Sequence, residues 1–325
     1  MLGQNLQPVQ VSDMLRAQER LSHAFAKTPL ITMEPLNIRI GKRLYLKAES
    51  LQPTGAYKIR GAYNKCASLV EQFGTGISVI TASSGNHGLA CALTAKMLGI
   101  CAKVVVPVVT PQIKKDCIRE MGATLVEYGQ TYDESFQEAC RLSEEEHAYY
   151  VHPVSDTEIL GAQGTIGMEI LEQLPSVQQV VIPLGGGGLS SGIAFYIKQC
   201  RPDVHIVCVM PEGSAVYAKS RQAGRLVQLE ACHSIADAVV RKTGEPFLFP
   251  YIESNVDEIL TVQEHSIQSA IKTAALYGKL ILEGAGALPL AAVLEHQINL
   301  DLETVLICSG GNLDESVLRS ALSEG

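Results

Sequence analysis

Lys58 stands in the stretch Pro53-Thr54-Gly55-Ala56-Tyr57-Lys58-Ile59-Arg60-Gly61, between a tyrosine and an isoleucine, with a glycine on either side. A lysine on an ordinary helix face sits among polar neighbours and needs no glycines. Taken alone, the stretch has two readings. One is a surface lysine near the start of a helix. The other is an amine nucleophile, desolvated by Tyr57 and close to the charge of Arg60, because burial and nearby positive charge both raise the fraction of free amine. A second group is Ser83-Ser84-Gly85-Asn86-His87-Gly88, which follows the β-branched run Ile77–Thr81. At a helix N-terminus its backbone N–H groups would favour an anion such as a carboxylate. A plain turn with an N-cap accounts for the same residues, and His87 by itself reads as a structural hydrogen-bonding residue. The third group is Gly185, Gly186, Gly187 and Gly188, directly after Val180-Val181-Ile182-Pro183-Leu184. Four glycines in a row are entropically costly to order. They fit a backbone that must approach a ligand closely, and a phosphate at the start of the next helix is the usual reason. Glu283-Gly284-Ala285-Gly286-Ala287 and Ser309-Gly310-Gly311-Asn312 also offer close approach, although a turn with a helix start explains either one alone.

The elements that must position these loops alternate along the chain. Apolar runs predict strands over Ile77–Thr81, Cys101–Val109, Thr124–Tyr128, Tyr149–Val151, Gln178–Pro183, His205–Met210 and Thr304–Cys308. Helical spacing predicts Gly88–Leu98, Pro111–Met121, Tyr132–His147, Ala162–Gln173, Leu189–Cys200, Ser266–Leu276 and Ala287–Glu295. Such alternation implies a mostly parallel sheet flanked by helices, with ligands at the carboxyl ends of strands. The glycine-rich loops fall there. With 325 residues, 46% of them hydrophobic, the chain can bury two domains. Twenty-six basic against 34 acidic residues give a net charge of −8, and no basic run argues for nucleic acid. No apolar run has the length of a membrane span, and the first residues lack the pattern of a signal peptide. Nine cysteines, an odd number with no Cys-x-x-Cys pair, point to a reducing compartment, the cytoplasm, without structural disulfides or zinc.

The best rival for the glycine loop is a dinucleotide-binding fingerprint. A strand, a glycine turn, a helix and a second strand ending near Glu212 imitate it, with the acidic residue about 20 residues on. A strict G-x-G-x-x-G cannot be written across Gly185–Gly192, and a dehydrogenase leaves Lys58 and the Ser83–Gly88 loop unexplained.

Together these segments resemble the pyridoxal-phosphate enzymes of the tryptophan-synthase-β fold type, and within it the threonine/serine dehydratase and serine racemase branch. The matching stretches are Pro53–Ala62, Ser83–Gly88, Gly161-Ala162-Gln163-Gly164-Thr165, Gly185–Gly188 and Ser309–Asn312, in the family's order. Any one is weak; the ordered set is specific. The resemblance implies an α/β fold of two domains, each a mostly parallel twisted sheet flanked by helices, with pyridoxal 5'-phosphate in the cleft between them. Residues 1–76 and 151–325 would form the large cofactor-binding domain and 77–150 a small substrate-gating domain. Only a short helix fits after Ser309, as in the short catabolic-type dehydratases that carry no regulatory domain.

By the same resemblance Lys58 would be the Schiff-base lysine. The family usually has Ser-Phe before it, where this chain has Ala56-Tyr57; Tyr57 would still lie beside the cofactor. Gly185 to Gly188 with Leu189 would hold the phosphate, Asn86 would bond the ring hydroxyl, and Glu283 would lie near the ring. Ser309 would face the pyridine nitrogen, and a neutral serine there makes a weaker electron sink that suits elimination. Ser83, Ser84, Gly85, Asn86 and His87 would bind the substrate carboxylate. Ser84, which many threonine dehydratases replace by alanine and serine racemases keep, would move a proton on the face opposite Lys58 or merely line the carboxylate site. Asn86-His87-Gly88, in place of Asn-Thr-Gly, separates the chain from cysteine synthases. Glu212 would be a ligand of a divalent cation, although the second carboxylate expected after it is missing from Gly213–Ala218. The implied activity is β-elimination of L-threonine or L-serine to a 2-oxo acid and ammonia. Racemisation is the alternative, and a non-catalytic or dinucleotide-binding protein the remote one. The implied partners are a small amino acid and further copies of the chain, in a dimer or tetramer, with neither nucleic acid nor membrane.

Overall fold

The computed structural model describes residues 3–323. The strands among them are β1 (Leu30–Ile31), β2 (Leu44–Lys47), β3 (Ser78–Ala82), β4 (Cys101–Val106), β5 (Thr124–Glu127), β6 (Tyr149–Tyr150), β7 (Gln179–Pro183), β8 (His205–Pro211), β9 (Glu258–Val262) and β10 (Thr304–Ile307). The helices are α1 (Val11–Ser22), α2 (Glu34–Ile40), α3 (Lys58–Phe73), α4 (Asn86–Leu98), α5 (Gln112–Glu120), α6 (Tyr132–Glu145), α7 (Thr157–Gln173), α8 (Gly188–Cys200), α9 (Val216–Ala223), α10 (Phe249–Asn255), α11 (Glu264–Thr273), α12 (Gly284–Leu294) and α13 (Glu315–Ser323). None of these helices is long and apolar enough to cross a membrane. The chain divides into two compact units, one of residues up to Phe25 with Lys58–Ala162, the other of Ala26–Tyr57 with the residues from Gln163 onward.

The first unit is built on a four-stranded parallel sheet in the order β5-β4-β3-β6. Val104, Val105 and Val106 in β4 are all buried, a continuous apolar run rather than an alternating one, because both faces of a parallel sheet are covered by helices. On one face α3 and α4 meet through Ile59, Ala62, Cys66, Ala90 and Cys91, mostly small side chains that let the helices approach closely. On the other, Ala139 of α6 packs with Ile80, Val105 and Tyr150. The second unit is built on a six-stranded sheet in the order β1-β2-β10-β7-β8-β9, parallel except for β1 against β2. Helix α12 is buried all round, as its uniformly apolar sequence requires. It shares a core with β2, β8 and α11. Helix α8 shares another with β7 and β8.

The expected strands and helices are present. The units divide elsewhere than at 76/77 and 150/151: α3 joins the four-stranded sheet because it shares a core with α4, and α1 joins it because Ala17 and Leu21 pack with Tyr63 of α3 and with Ala162.

Candidate active site

In the first unit, β3 runs into a tight loop and then α4. Ser83 N donates to Val105 O at 3.1 Å, and Gly85 N to Ser83 Oγ at 3.3 Å. A Cβ at Gly88 would lie 2.4 Å from Ser83 O, so only glycine lets the loop fold against the first turn of α4. The first helical bond runs from Leu89 N to Gly85 O. The N–H groups of Asn86, His87 and Gly88 are therefore the first-turn donors with no partner inside the helix, at its positive end. Ser83, Ser84, Gly85 and Asn86 are half-buried, while His87 is buried. His87 Nε2 lies 3.0 Å from Val151 O, and because a carbonyl only accepts, Nε2 carries the proton. Burial and the positive charge of Lys58 hold the His87 pKa down to about 3, against the opposing bond to Val151. His87 is thus a neutral donor that supports the loop. It is not a base poised near neutral pH.

Lys58 is the first residue of α3, half-buried, and its Nζ donates to Pro153 O at 2.9 Å. Pro153 is two residues beyond Val151, whose carbonyl His87 bonds, so the amine lies near the start of α4. Lys58, Ser83, Ser84, Gly85, Asn86 and His87 therefore belong to one unit.

The second unit carries the glycine loop between β7 and α8. A Cβ on Gly185 would lie 2.7 Å from Val239 Cα. Gly187 has φ +93, and a Cβ there would lie 2.9 Å from Tyr217 Oη. Tyr217 accepts from Glu245 N at 3.0 Å and donates to Gly186 O at 3.2 Å, backing the loop from beneath. Ser191 N bonds Gly187 O at 2.8 Å, which leaves the N–H groups of Gly188, Leu189 and Ser190 as open donors. The Leu189 side chain is in the core, so only its backbone can meet a ligand. Ser191 Oγ is buried without a hydrogen-bond partner.

At the end of β10 three distant segments are knotted together. Tyr57 N donates to Ser309 O at 3.0 Å, Ala56 pairs with Gly310, and Glu283 N donates to Gly310 O at 3.1 Å. A Cβ on Gly310 would lie 2.5 Å from Glu283 Oε1, so the glycine makes room for the carboxylate. Ser309 and Glu283 are buried. Burial, then the Glu283 charge, push the Tyr57 phenol far up, while Arg241 pulls it the other way. The sequence reading missed Arg241. Its setting, Val239-Val240-Arg241-Lys242-Thr243, reads as an exposed loop, and only the packing of Val239 on Gly185 brings it to the site. Glu212 is exposed in the turn after β8. Among the described residues, no three His, Cys, Asp or Glu side chains gather there or elsewhere to hold a metal ion.

The family model described as pyridoxal-phosphate dependent enzyme matches residues 21–310. An L-threonine ammonia-lyase of Thermotoga maritima is 37% identical over 317 residues, 98% of this chain and 79% of that protein. The structure of processed threonine deaminase isoform 2 from Solanum lycopersicum superposes with a TM-score of 0.90 at 34% identity, covering 99% of this chain and 91% of that one. Maize serine racemase gives 0.90 at 31% identity, with 97% of each chain covered. The chain belongs to the pyridoxal-phosphate dependent enzymes.

The residues present fit that cofactor. A phosphate requires close backbone approach and a positive helix end, which Gly185–Gly188 and α8 supply, with Ser191 Oγ as a buried polar atom one turn inside. An aldehyde requires a primary amine, which Lys58 supplies.

Proposed function

We propose that the chain is a threonine/serine ammonia-lyase, converting L-threonine or L-serine to a 2-oxo acid and ammonia. The observation that carries this reading is an amine, held by Pro153 O, in the same compact unit as the first turn of α4, where the helix presents its positive end. An amino acid needs both a base for its Cα proton and a seat for its carboxylate. When bound, pyridoxal phosphate supplies an electron sink that acidifies the Cα–H of an amino acid. The N–H groups of Gly188, Leu189 and Ser190 would hold its phosphate. Ser309 would meet the ring nitrogen and Asn86 the ring hydroxyl, with Tyr57 and Glu283 beside the ring. The N–H groups of Asn86, His87 and Gly88 hold the substrate carboxylate. Lys58 Nζ takes the Cα proton and gives it up to the β-hydroxyl, which leaves as water with the Cβ–O bonding pair, and the unsaturated amine released takes up water to give the 2-oxo acid and ammonia. The enzyme works as a cytoplasmic homo-oligomer, a dimer or tetramer.

Proton NMR with L-serine and L-threonine in D2O, followed by chiral analysis of the remaining amino acid, tests the reading. Pyruvate or 2-oxobutyrate is expected with a yellow protein, and no turnover with Lys58→Ala. An active Lys58→Ala protein sinks the assignment. Racemisation is the second reading, supported by the half-buried Ser84 in the carboxylate loop. It would leave D-serine behind.

A further inference from the structure

The amine of Lys58 bonds the carbonyl of Pro153, so whatever fixes that carbonyl aims the amine. Pro153 lies in the turn between β6 and α7, and proline has no N–H with which to close the turn itself. The closure comes from a side chain. His152 Nδ1 accepts from Val154 N at 3.2 Å and from Ser155 N at 2.7 Å, bracketing Pro153 from both sides. A ring nitrogen that accepts two N–H groups is unprotonated, so in the neutral ring the proton is on Nε2. The far end of the turn is pinned separately. Gln4 Nε2 donates to Ser155 O at 2.8 Å, Asn5 N to Asp156 Oδ2 at 3.0 Å, and Lys65 Nζ pairs with Asp156 Oδ2 at 2.9 Å. Those bonds hold residues 155 and 156. The ring ties residue 152 to residues 154 and 155, across the carbonyl that Lys58 uses.

We propose that His152 is a positioning residue for Lys58, acting through Nδ1 on the turn that presents Pro153 O. The proposal rests on Lys58 being the working amine of the reaction above. A misplacement of about 1 Å in a reacting group can cost about 100-fold in rate, so a loosened turn is felt in turnover. The carboxylate loop is braced on Val151 O through His87, ahead of the turn that His152 closes, so substrate binding is felt less than turnover.

Three variants separate this role from simple filling of space. Asparagine places its Oδ1 where the histidine has Nδ1; glutamine reaches instead to the position of Nε2. His152→Ala and His152→Gln should lower kcat by about 10- to 100-fold with little change in KM, and His152→Asn should restore most of it. In cofactor-free protein, hydrogen exchange at the Val154 and Ser155 amides should quicken in the alanine and glutamine variants and stay slow in the asparagine variant. Wild-type kcat in His152→Ala, or asparagine and glutamine variants that lose activity equally, would overturn the proposal. Should the alanine variant not fold, the asparagine–glutamine comparison decides. Turnover surviving in Lys58→Ala would fell the functional reading, whereas the amide exchange would still report on the turn.

Discussion

Ser84 lies in the half-buried part of the β3–α4 loop, two residues ahead of the first residue of α4. If it moves a proton at Cα, Ser84→Ala should abolish D-serine formation and spare most pyruvate formation. Chiral chromatography of the reaction decides, and D-serine formed at the wild-type rate would reduce Ser84 to a lining residue. His87 gives a second residue-level expectation. Its folded pKa is about 3 against an ordinary 6.5. Between those values the unfolded chain binds a proton that the fold refuses, so stability falls as pH drops below 6.5, by about 1.4 kcal/mol per pH unit. His87→Gln, whose Nε2 can still donate to Val151 O, should flatten that slope in urea titrations at a series of acidic pH values. Parallel slopes would refute the assignment. Lys58, Asn86 and Ser309 stood out in the sequence as candidates because each sits in a short run rich in glycine. His152 and Arg241 were not, because what they do depends on backbone geometry: a turn that closes onto a ring, and a loop folded onto Gly185.

At the scale of elements, the glycine loop makes the sharpest claim. Gly187 has φ +93 and no room for a Cβ beside Tyr217 Oη. Gly187→Ala should strain the backbone by about 1–3 kcal/mol, and so weaken cofactor binding by about 5- to 150-fold. Fluorescence titration of cofactor into the stripped protein measures this, and an unchanged dissociation constant would contradict a phosphate seat there. Strands such as β4 and β7 were legible because they are unbroken apolar runs. Helix α3 and strand β2 were not, for a shared reason: polar residues stand at their buried positions. In α3 these are Arg60, Asn64 and Lys65; Asn64 donates to Glu158 O, and Lys65 pairs with Asp156. In β2, Lys47 is fully buried and donates to Thr28 O at 2.7 Å and to Glu169 at 2.5 Å. Partnered charges satisfy the fold as well as leucines would, yet they erase the periodicity by which an element is read.

At the scale of the molecule, the two units have separate apolar cores. A cavity in one should weaken that unit first. Ile182→Ala, at a fully buried site in β7, should cost about 2–5 kcal/mol. Hydrogen exchange should quicken across β7 and β8 and change little across β3 and β4. Equal acceleration in both sheets would mean that the cores melt together. The division itself was only partly legible. Alternation of strands and helices does not tell on which sheet a helix such as α3 will lie, since that depends on side chains far along the chain.

The six-stranded sheet has a consequence for how the protein is made. Its order places β10 between β2 and β7, with Leu306 paired to Leu46 on one side and Val181 on the other. A ribosome adding about 5–20 residues per second needs on the order of tens of seconds to travel from β2 to β10. From the completion of β7 until β10 emerges, the nascent chain carries two strands whose shared neighbour has not yet been translated. Newborn copies crowded on one messenger present these same open edges to each other, so slow elongation before residue 304 or a shortage of chaperones should lower the soluble yield.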